Sequence, residues 1–513
     1  MPLAELPGAL TTADAYPYAV ERVELRETHI SWVFLAGSRV YKVKKPVRFS
    51  FLDYSTAERR RFFCAEEVRL NARLAPGIYR RVAALVRTPS GRLRIDGAGR
   101  TVDHAVEMER LPDERMMDRL LDAGEISNEP LDRLVELLVR FHAAAATGPG
   151  VDVHGSPEAV RRLLLGNLAE CPVELAPRLH AALTRRVGAL LDESTALLAE
   201  RVREGRVRDG HGDLHAGNVC FLRDRVVAYD CIEFEPAFRC GDVAADLAFL
   251  AMDLDARGFR AFGSYLAHRY AVASRDDTFG RVLPLYKVHR ALVRAKVAAM
   301  RMASAPDASR EAARAESERY LALAAGYLVP PVLLVLCGLP GTGKSTVAHA
   351  VERALGAVML SSDLLRKRLF GLAPTEHWRG DVDSGPYAAE WTTRTYDAMH
   401  AQAAAQLRAG RSVILDATFP VAAWRARFLK LAEDAGVFAR VLYLRAPSEL
   451  VEARLRERER DATAVSDAGV AVFRRAAARF EAPDAPEPAP VVALDARLAP
   501  EDLTLCVVES LLD

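Results

Sequence analysis

Residues 332–346 read VLLVLCGLPGTGKST. An apolar run, a glycine-rich loop and a helical pattern follow one another without a gap, and Gly338–Ser345 match GxxxxGK[ST]. Few structures other than a strand, a tight turn and a helix satisfy that order. Glycines let backbone N–H groups turn inward around a phosphate, and the helix behind them presents its positive end. Gly338, Gly341 and Gly343 are therefore read as the cradle, with Thr346 a further nucleotide-binding position. Lys344 can reach the β- and γ-phosphates of ATP, and Ser345 can bind Mg²⁺.

Two acids follow at places where parallel sheets collect ligand groups, the carboxyl ends of strands. Ser362-Asp363-Leu-Leu-Arg366 comes after the β-run 357–360, and Asp416 closes the apolar stretch RSVILD. Asp363 can take a proton from an attacking hydroxyl. Arg366 can hold a substrate phosphate or position Asp363, and Asp416 can hold Mg²⁺ through water. Arg454, Arg456, Arg458 and Arg460 crowd one helix pattern. Arg454 and Arg458, four apart and on one face, are the candidates for a lid over the triphosphate. Val329-Pro330-Pro331 marks the start of this region, and strand and helix alternate beyond it, as in a parallel α/β sheet.

The region 330–510 resembles the P-loop small-molecule and polynucleotide 5′-hydroxyl kinases on Gly338–Ser345, Ser362-Asp363…Arg366 and Asp416. The resemblance implies that Asp363 is the general base.

A second constellation lies upstream. Residues 207–230 read VRDGHGDLHAGNVCFLRDRVVAYD, with short strand patterns either side of a turn at 223–225. One loop can hold both Asp213 and Asn218, and the returning strand brings Asp230 beside Asn218. Phosphoryl transfer needs such a set: a carboxylate near the acceptor hydroxyl and oxygen ligands for Mg²⁺. His211 reads as a packing residue of the loop. The stretch SWVFLAGSRVYKVKK predicts a hairpin turning at Gly37 and Ser38, and Ser55 with Glu58 predicts a capped helix over 56–74. On that helix Phe63, Glu67, Leu70 and Leu74 share a stripe, on which Glu67 is the one charge. A buried carboxylate needs a cation, so Glu67 is paired with Lys42; Lys44 shares the same strand face.

Residues 25–325 resemble the aminoglycoside phosphotransferase-like kinases, whose catalytic loop HGDxxxxN and following aspartate match Asp213, Asn218 and Asp230. The resemblance implies that Asp213 is catalytic, that Asn218 and Asp230 bind metal, and that a lysine (Lys42 best, Lys44 next) and Glu67 clamp ATP. It also makes Asp246, in GDVAADLA, a brace for the catalytic loop. The loop near Gly37 is not GxGxxG, so phosphate cover there is weak or differently built. Glu233 and Glu235 read as solvated loop charges, with an acidic acceptor pocket as the other reading.

The expected fold is α/β and multidomain. An N-terminal bilobal protein-kinase-like (aminoglycoside phosphotransferase-like) fold has lobes at 1–114 and 115–328, and a P-loop domain with a parallel sheet covers 329–513. Half of the 513 residues are hydrophobic, which excludes a disordered or fibrous chain. The net charge of +1 favours small hydroxyl-bearing acceptors over 5′-hydroxyl oligonucleotides, and over anionic membranes. Seven cysteines without a CxxC pair, no leader-like start and no bilayer-length apolar run fit a cytoplasmic location. The expected function is a bifunctional ATP-dependent phosphotransferase with two Mg-ATP sites acting on sugars, amino sugars, aminoglycosides or nucleosides. The other readings are one active kinase with a regulatory nucleotide-binding domain, or a nucleotide-dependent switch ATPase.

Overall fold

A computed structural model describes residues 5–49, 51–304, 306–378, 384–460, 465–483 and 487–512. The chain divides into two compact units, 1–162 with 193–287 and 163–192 with 288–513.

The first unit opens on an antiparallel sheet built from β1 (Val23–Glu27), β2 (Ser31–Ala36), β3 (Arg39–Lys44), β4 (Tyr79–Arg87), β5 (Leu93–Ile95) and β6 (Arg100–Glu109). Its order is β1-β2-β3-β6-β4-β5. The β2–β3 hairpin turns at Gly37 and Ser38 as expected, with Gly37 at φ +61, where a side chain would be strained. Arg39, beside it, pairs with Glu109 at the exit to the helical region, whereas Lys42 and Lys44 lie toward the other end of β3. The turn at their end is Thr28-His29-Ile30, between β1 and β2. It carries no glycine; the Thr28 hydroxyl accepts from Ser31 N at 2.9 Å, and Lys45 donates to Glu27 at 2.6 Å.

Helix α1 (Ala57–Asn71) is capped by Thr56, whose side chain accepts from Arg59 N, and not by Ser55, which bonds Asp53. Its buried face carries Arg60, Cys64, Glu67, Leu70 and Asn71. Glu67 is therefore not the one charge on that face: Arg60 forms a buried ion pair with Asp103 at 2.8 Å. The hairpin of β7 (Val219–Phe221) and β8 (Val226–Ala228) and the helix α2 (Val243–Ala256) complete the frame of the loop 210–218.

The second unit is built on five parallel strands. They are β9 (Val332–Cys337), β10 (Val358–Ser361), β11 (Val413–Asp416), β12 (Phe438–Arg445) and β13 (Val491–Asp495), in the order β10-β11-β9-β12-β13. All six residues of β9 are buried, which is what a continuous apolar run predicts for a central parallel strand. Helices α3 (Lys344–Leu355), α4 (Ser362–Phe370) and α5 (Ser448–Arg458) position the site. The stretch 163–192 and the residues from 288 to the prolines group with this unit. Helix Asp307–Gly326 packs against α3, and a Cβ on Gly326 would fall 2.0 Å from Ala354 O. The 115–328 stretch is thus shared between the two units. Among the described residues no helix is long and apolar enough to cross a membrane.

Candidate active sites

In the first unit the loop 210–218 is assembled from its backbone outward. Gly212 sits at φ +85, and a Cβ there would meet Phe238 O at 2.8 Å. Asp246, from α2, accepts from His211 N and Gly212 N at 2.8 Å each, and its third partner is His142 Nε2 at 3.2 Å. Burial opposes the Asp246 charge, but these donors hold its carboxyl far below the usual carboxylate range. His211 is fully buried: Nδ1 accepts from Asp213 N at 3.2 Å and Nε2 donates to Tyr229 O at 3.0 Å. Burial pushes its pKa down, so it is a neutral packing residue with both ring nitrogens committed. Asn218 Nδ2 donates to Asp213 O at 3.0 Å and to Asp213 Oδ2 at 3.3 Å, and His215 Nε2 approaches the same oxygen at 3.7 Å. Both side-chain approaches fall on Oδ2.

The β7–β8 pairing closes on Tyr229 N donating to Asn218 O at 3.0 Å, so Asp230 stands beside Asn218. Asp230 adopts φ 62, uncommon for a residue with a side chain, and its N–H donates to the Tyr79 hydroxyl at 3.0 Å. Its carboxylate turns to Lys42, with Nζ to Oδ1 at 2.5 Å. Lys42 also meets Glu67 Oε1 at 2.8 Å, and Lys44 meets Glu67 Oε2 at 2.6 Å. Burial opposes the charge on all four groups. Coulomb attraction overcomes it: both lysine pKa values are raised, and those of Glu67 and Asp230 are lowered.

The two lysines differ in reach. The Lys42 side chain is 13% exposed, while Lys44 is sealed against Glu67, Tyr54 and Glu233. Glu233 is therefore neither a solvated loop charge nor part of an open acidic pocket; it is the buried counter-ion of Lys44. Glu235 caps a short helix, accepting from Ala237 N at 3.0 Å. Sequence reading also missed Arg73, which donates to the Asp209 and Gly210 carbonyls at 2.7 and 2.9 Å and so anchors the entry to the catalytic loop. No local pattern marks it; only the fold brings residues 73 and 209 together.

In the second unit Gly338, Gly341 and Gly343 all take positive φ. A Cβ on Gly341 would lie 2.8 Å from Leu455 Cγ, so α5 rests directly on the loop. Lys344 is buried and donates to Leu339 O at 2.9 Å. Burial lowers its pKa, and Asp416 and Asp363 only partly offset that. Ser345 Oγ donates to Asp416 Oδ2 at 2.7 Å, and burial raises the Asp416 carboxyl. Thr346, next on α3, is exposed.

Asp363 lies in the first turn of α4, close enough to Lys344 and Arg458 to act on both. Arg366 is buried; its Nη1 donates to Pro386 O and Thr392 Oγ1 at 3.0 Å each, and its guanidinium lies 5.0 Å over the Tyr387 ring. Those contacts suit a residue that builds the wall beside Asp363. Arg454 donates to Ala496 O at 2.8 Å, with Nη1 beside Gly343, and Arg458 donates to Ala468 O at 2.5 Å. Arg456 instead pairs with Glu452 on an exposed face.

Each site offers two protein oxygens of the type Mg²⁺ prefers: Asn218 with Asp230, and Ser345 with Asp416. Among the described residues no group of three or more His, Cys, Asp or Glu side chains could hold a metal by itself. That donor set fits an ion that completes its shell with phosphate oxygens and water.

These features define a kinase, built from a phosphotransferase-type unit and a P-loop unit on one chain. Residues 36–285 match the phosphotransferase enzyme family, and residues 333–483 match a family described as AAA domain. An uncharacterized protein of Mycobacterium tuberculosis (strain ATCC 25618 / H37Rv) is 35% identical over 430 residues, covering 82% of this chain and 84% of its own. One of Mycobacterium bovis matches equally well. The chain belongs to the family of these mycobacterial proteins. Among solved structures it is similar to a choline/ethanolamine kinase family protein from Mesorhizobium loti (13% identity, 58% of this chain and 87% of that one, TM-score 0.35). A gluconokinase from Sinorhizobium meliloti is also similar (18% identity, 34% and 92%, TM-score 0.25).

Proposed function

We propose that the chain is a bifunctional kinase with two separate Mg-ATP sites, each passing the γ-phosphoryl group to a hydroxyl of a small molecule. The observation that carries this reading is a repeated arrangement: in each unit a carboxylate, a lysine and a pair of oxygen ligands gather in one cluster. In the first, Asp213 stands with Asn218 and Asp230, the latter paired to Lys42. In the second, Asp363 acts on Lys344 near Ser345 and Asp416.

At each site the carboxylate takes the proton as the acceptor oxygen bonds to phosphorus, and the bond to the leaving diphosphate oxygen breaks. Asp213 Oδ1 does this in the first site and Asp363 in the second. Lys42 and Lys344 hold phosphate oxygens, and Glu67 keeps Lys42 in place. Mg²⁺, when bound, neutralises charge between the outer phosphates. Arg454 and Arg458 close over the triphosphate in the second site, and Arg366 shapes the acceptor wall. Sugars, amino sugars, aminoglycosides and nucleosides are the acceptor classes, and the cytoplasm is the compartment.

The test is a panel of these compounds and 5′-hydroxyl oligonucleotides with γ-labelled ATP and Mg²⁺, on the full chain and on Asp213→Ala and Lys344→Ala. Loss of a different product in each variant supports two kinases. Loss of everything in one variant and nothing in the other makes one unit regulatory. Phosphate release to water alone, whatever is added, favours a switch ATPase.

A further inference from the structure

Asp467 lies outside every motif above, yet its carboxylate gathers groups from three stretches of chain. Oδ2 accepts from the Tyr387 hydroxyl at 2.6 Å and from Trp378 N at 3.4 Å. Oδ1 faces His377 Nδ1 at 2.8 Å and Lys367 Nζ at 3.4 Å. The Asp467 side chain is 8% exposed and that of Lys367 is 1% exposed. A carboxylate this buried persists only where a cation and donors offset its lost hydration.

Its partners lie along the wall beside Asp363 and Arg366. Lys367 is one helical turn beyond Asp363 on the same face of α4. Tyr387 lies beneath the Arg366 guanidinium, and its hydroxyl is close enough to Asp363 to feel its charge. On its other side, Asp467 is joined by one peptide bond to Ala468, whose carbonyl accepts from Arg458 Nη2. Arg458 belongs to α5, and α5 rests on Gly341 through Val451 and Leu455. The planar peptide fixes the spacing of the two Cα atoms, so a shift of the Ala468 carbonyl reaches Asp467 through the backbone dihedrals of Ala468.

We propose that Asp467 is a positioning residue of the P-loop site: it ties the acceptor-side wall of Lys367, His377 and Tyr387 to the arginine helix α5. A nucleotide engaged by the loop and α5 thereby orders the wall beside Asp363. This rests on the reading of the second unit as a kinase site.

Hydrogen exchange read by mass spectrometry tests it on the full chain, with and without the non-hydrolysable analogue AMPPNP and Mg²⁺. In the wild type the analogue should slow exchange at 338–346, 366–378 and 384–392. Asp467→Ala should keep the slowing at 338–346 and cut it at the other two segments by about three- to thirtyfold, the range of a single coupling contact. Tyr387→Phe removes one hydrogen bond and should cut the slowing at 384–392 only; it decides the matter if Asp467→Ala does not fold. Slowing that persists at 366–378 and 384–392 in Asp467→Ala, or at 384–392 in Tyr387→Phe, overturns the proposal. So does wild-type slowing confined to 338–346. No slowing at 338–346 in the wild type overturns the nucleotide reading of the unit, and this proposal with it.

Discussion

Lys42 Nζ lies 2.5 Å from Asp230 Oδ1, across 188 residues of sequence. The two groups proposed to meet phosphate and metal thus hold each other, and Glu67 supports the lysine from behind at 2.8 Å. Mg-ATP would replace the direct ion pair with one bridged through phosphate and metal. The cost of separation falls because Lys42 keeps Glu67.

Asp230→Ala leaves Lys42 with Glu67 but removes the proposed metal ligand. In a Lys344→Ala background, Mg-ATP should bind the first unit at least about tenfold more weakly, roughly the loss of one charge-assisted contact. Isothermal titration would show it. Asp213→Ala should leave that affinity unchanged and lower transfer by about 10²- to 10⁴-fold, the usual contribution of a general base. Normal transfer by Asp213→Ala would remove this loop from the chemistry.

Gly341→Ala places a methyl where Leu455 Cγ is 2.8 Å away, at a backbone φ of +81. Helix α5 must move off the loop or the loop must open. ATP binding at the second unit should drop sharply in an Asp213→Ala, Asp230→Ala background, while the circular dichroism of the chain stays that of the wild type. Undiminished binding would mean that α5 does not help form the site.

Arg201 is buried between two carboxylates, with Nε to Asp242 at 2.5 Å, Nη2 to Asp242 at 2.8 Å and Nη1 to Asp276 at 2.8 Å. Asp242 also caps α2, accepting from Ala244 N at 2.8 Å. Arg201→Ala strands two buried charges. It should cost about 3–5 kcal/mol in the unfolding of the first unit, measurable by urea denaturation. A loss under 1 kcal/mol would show that water reaches these carboxylates.

His289 is buried, and its Nε2 accepts from Asn167 Nδ2 at 3.1 Å. Burial, with Arg290 and Lys296 nearby, holds its pKa well below 6.5. The unfolded chain takes up this proton first as pH falls. Stability from the neutral ring is therefore present above about pH 6.5 and declines as pH drops below it. His289→Gln should flatten the fall in stability of the second unit between pH 7 and 5, by up to about 1.4 kcal/mol per pH unit. An unchanged slope would place the acid sensitivity elsewhere.

Local spacing carried much of this protein. The six-residue apolar run before Gly338 specifies a buried parallel strand, because only a strand covered on both faces can be apolar throughout. The turn at 223–225 returns Asp230 to Asn218 by strand pairing alone. The stripe on α1 points Glu67 inward, because helical periodicity sets its face.

Other relations had no local signal. The sequence placed Lys42 and Lys44 on one face of β3; only packing decided that Lys42 meets Asp230 while Glu233 and Tyr54 seal Lys44. Glu233 looked like a loop charge because a sequence shows spacing and not burial. Gly37 marks a turn in the sequence; only sheet register shows that the Thr28–Ile30 turn, and not that one, shares an end of the sheet with Lys44. Periodicity fixes which face a residue takes, through the repeat of a single element. Which charge meets which depends on long-range packing, where desolvation forces each buried group to find a partner far along the chain.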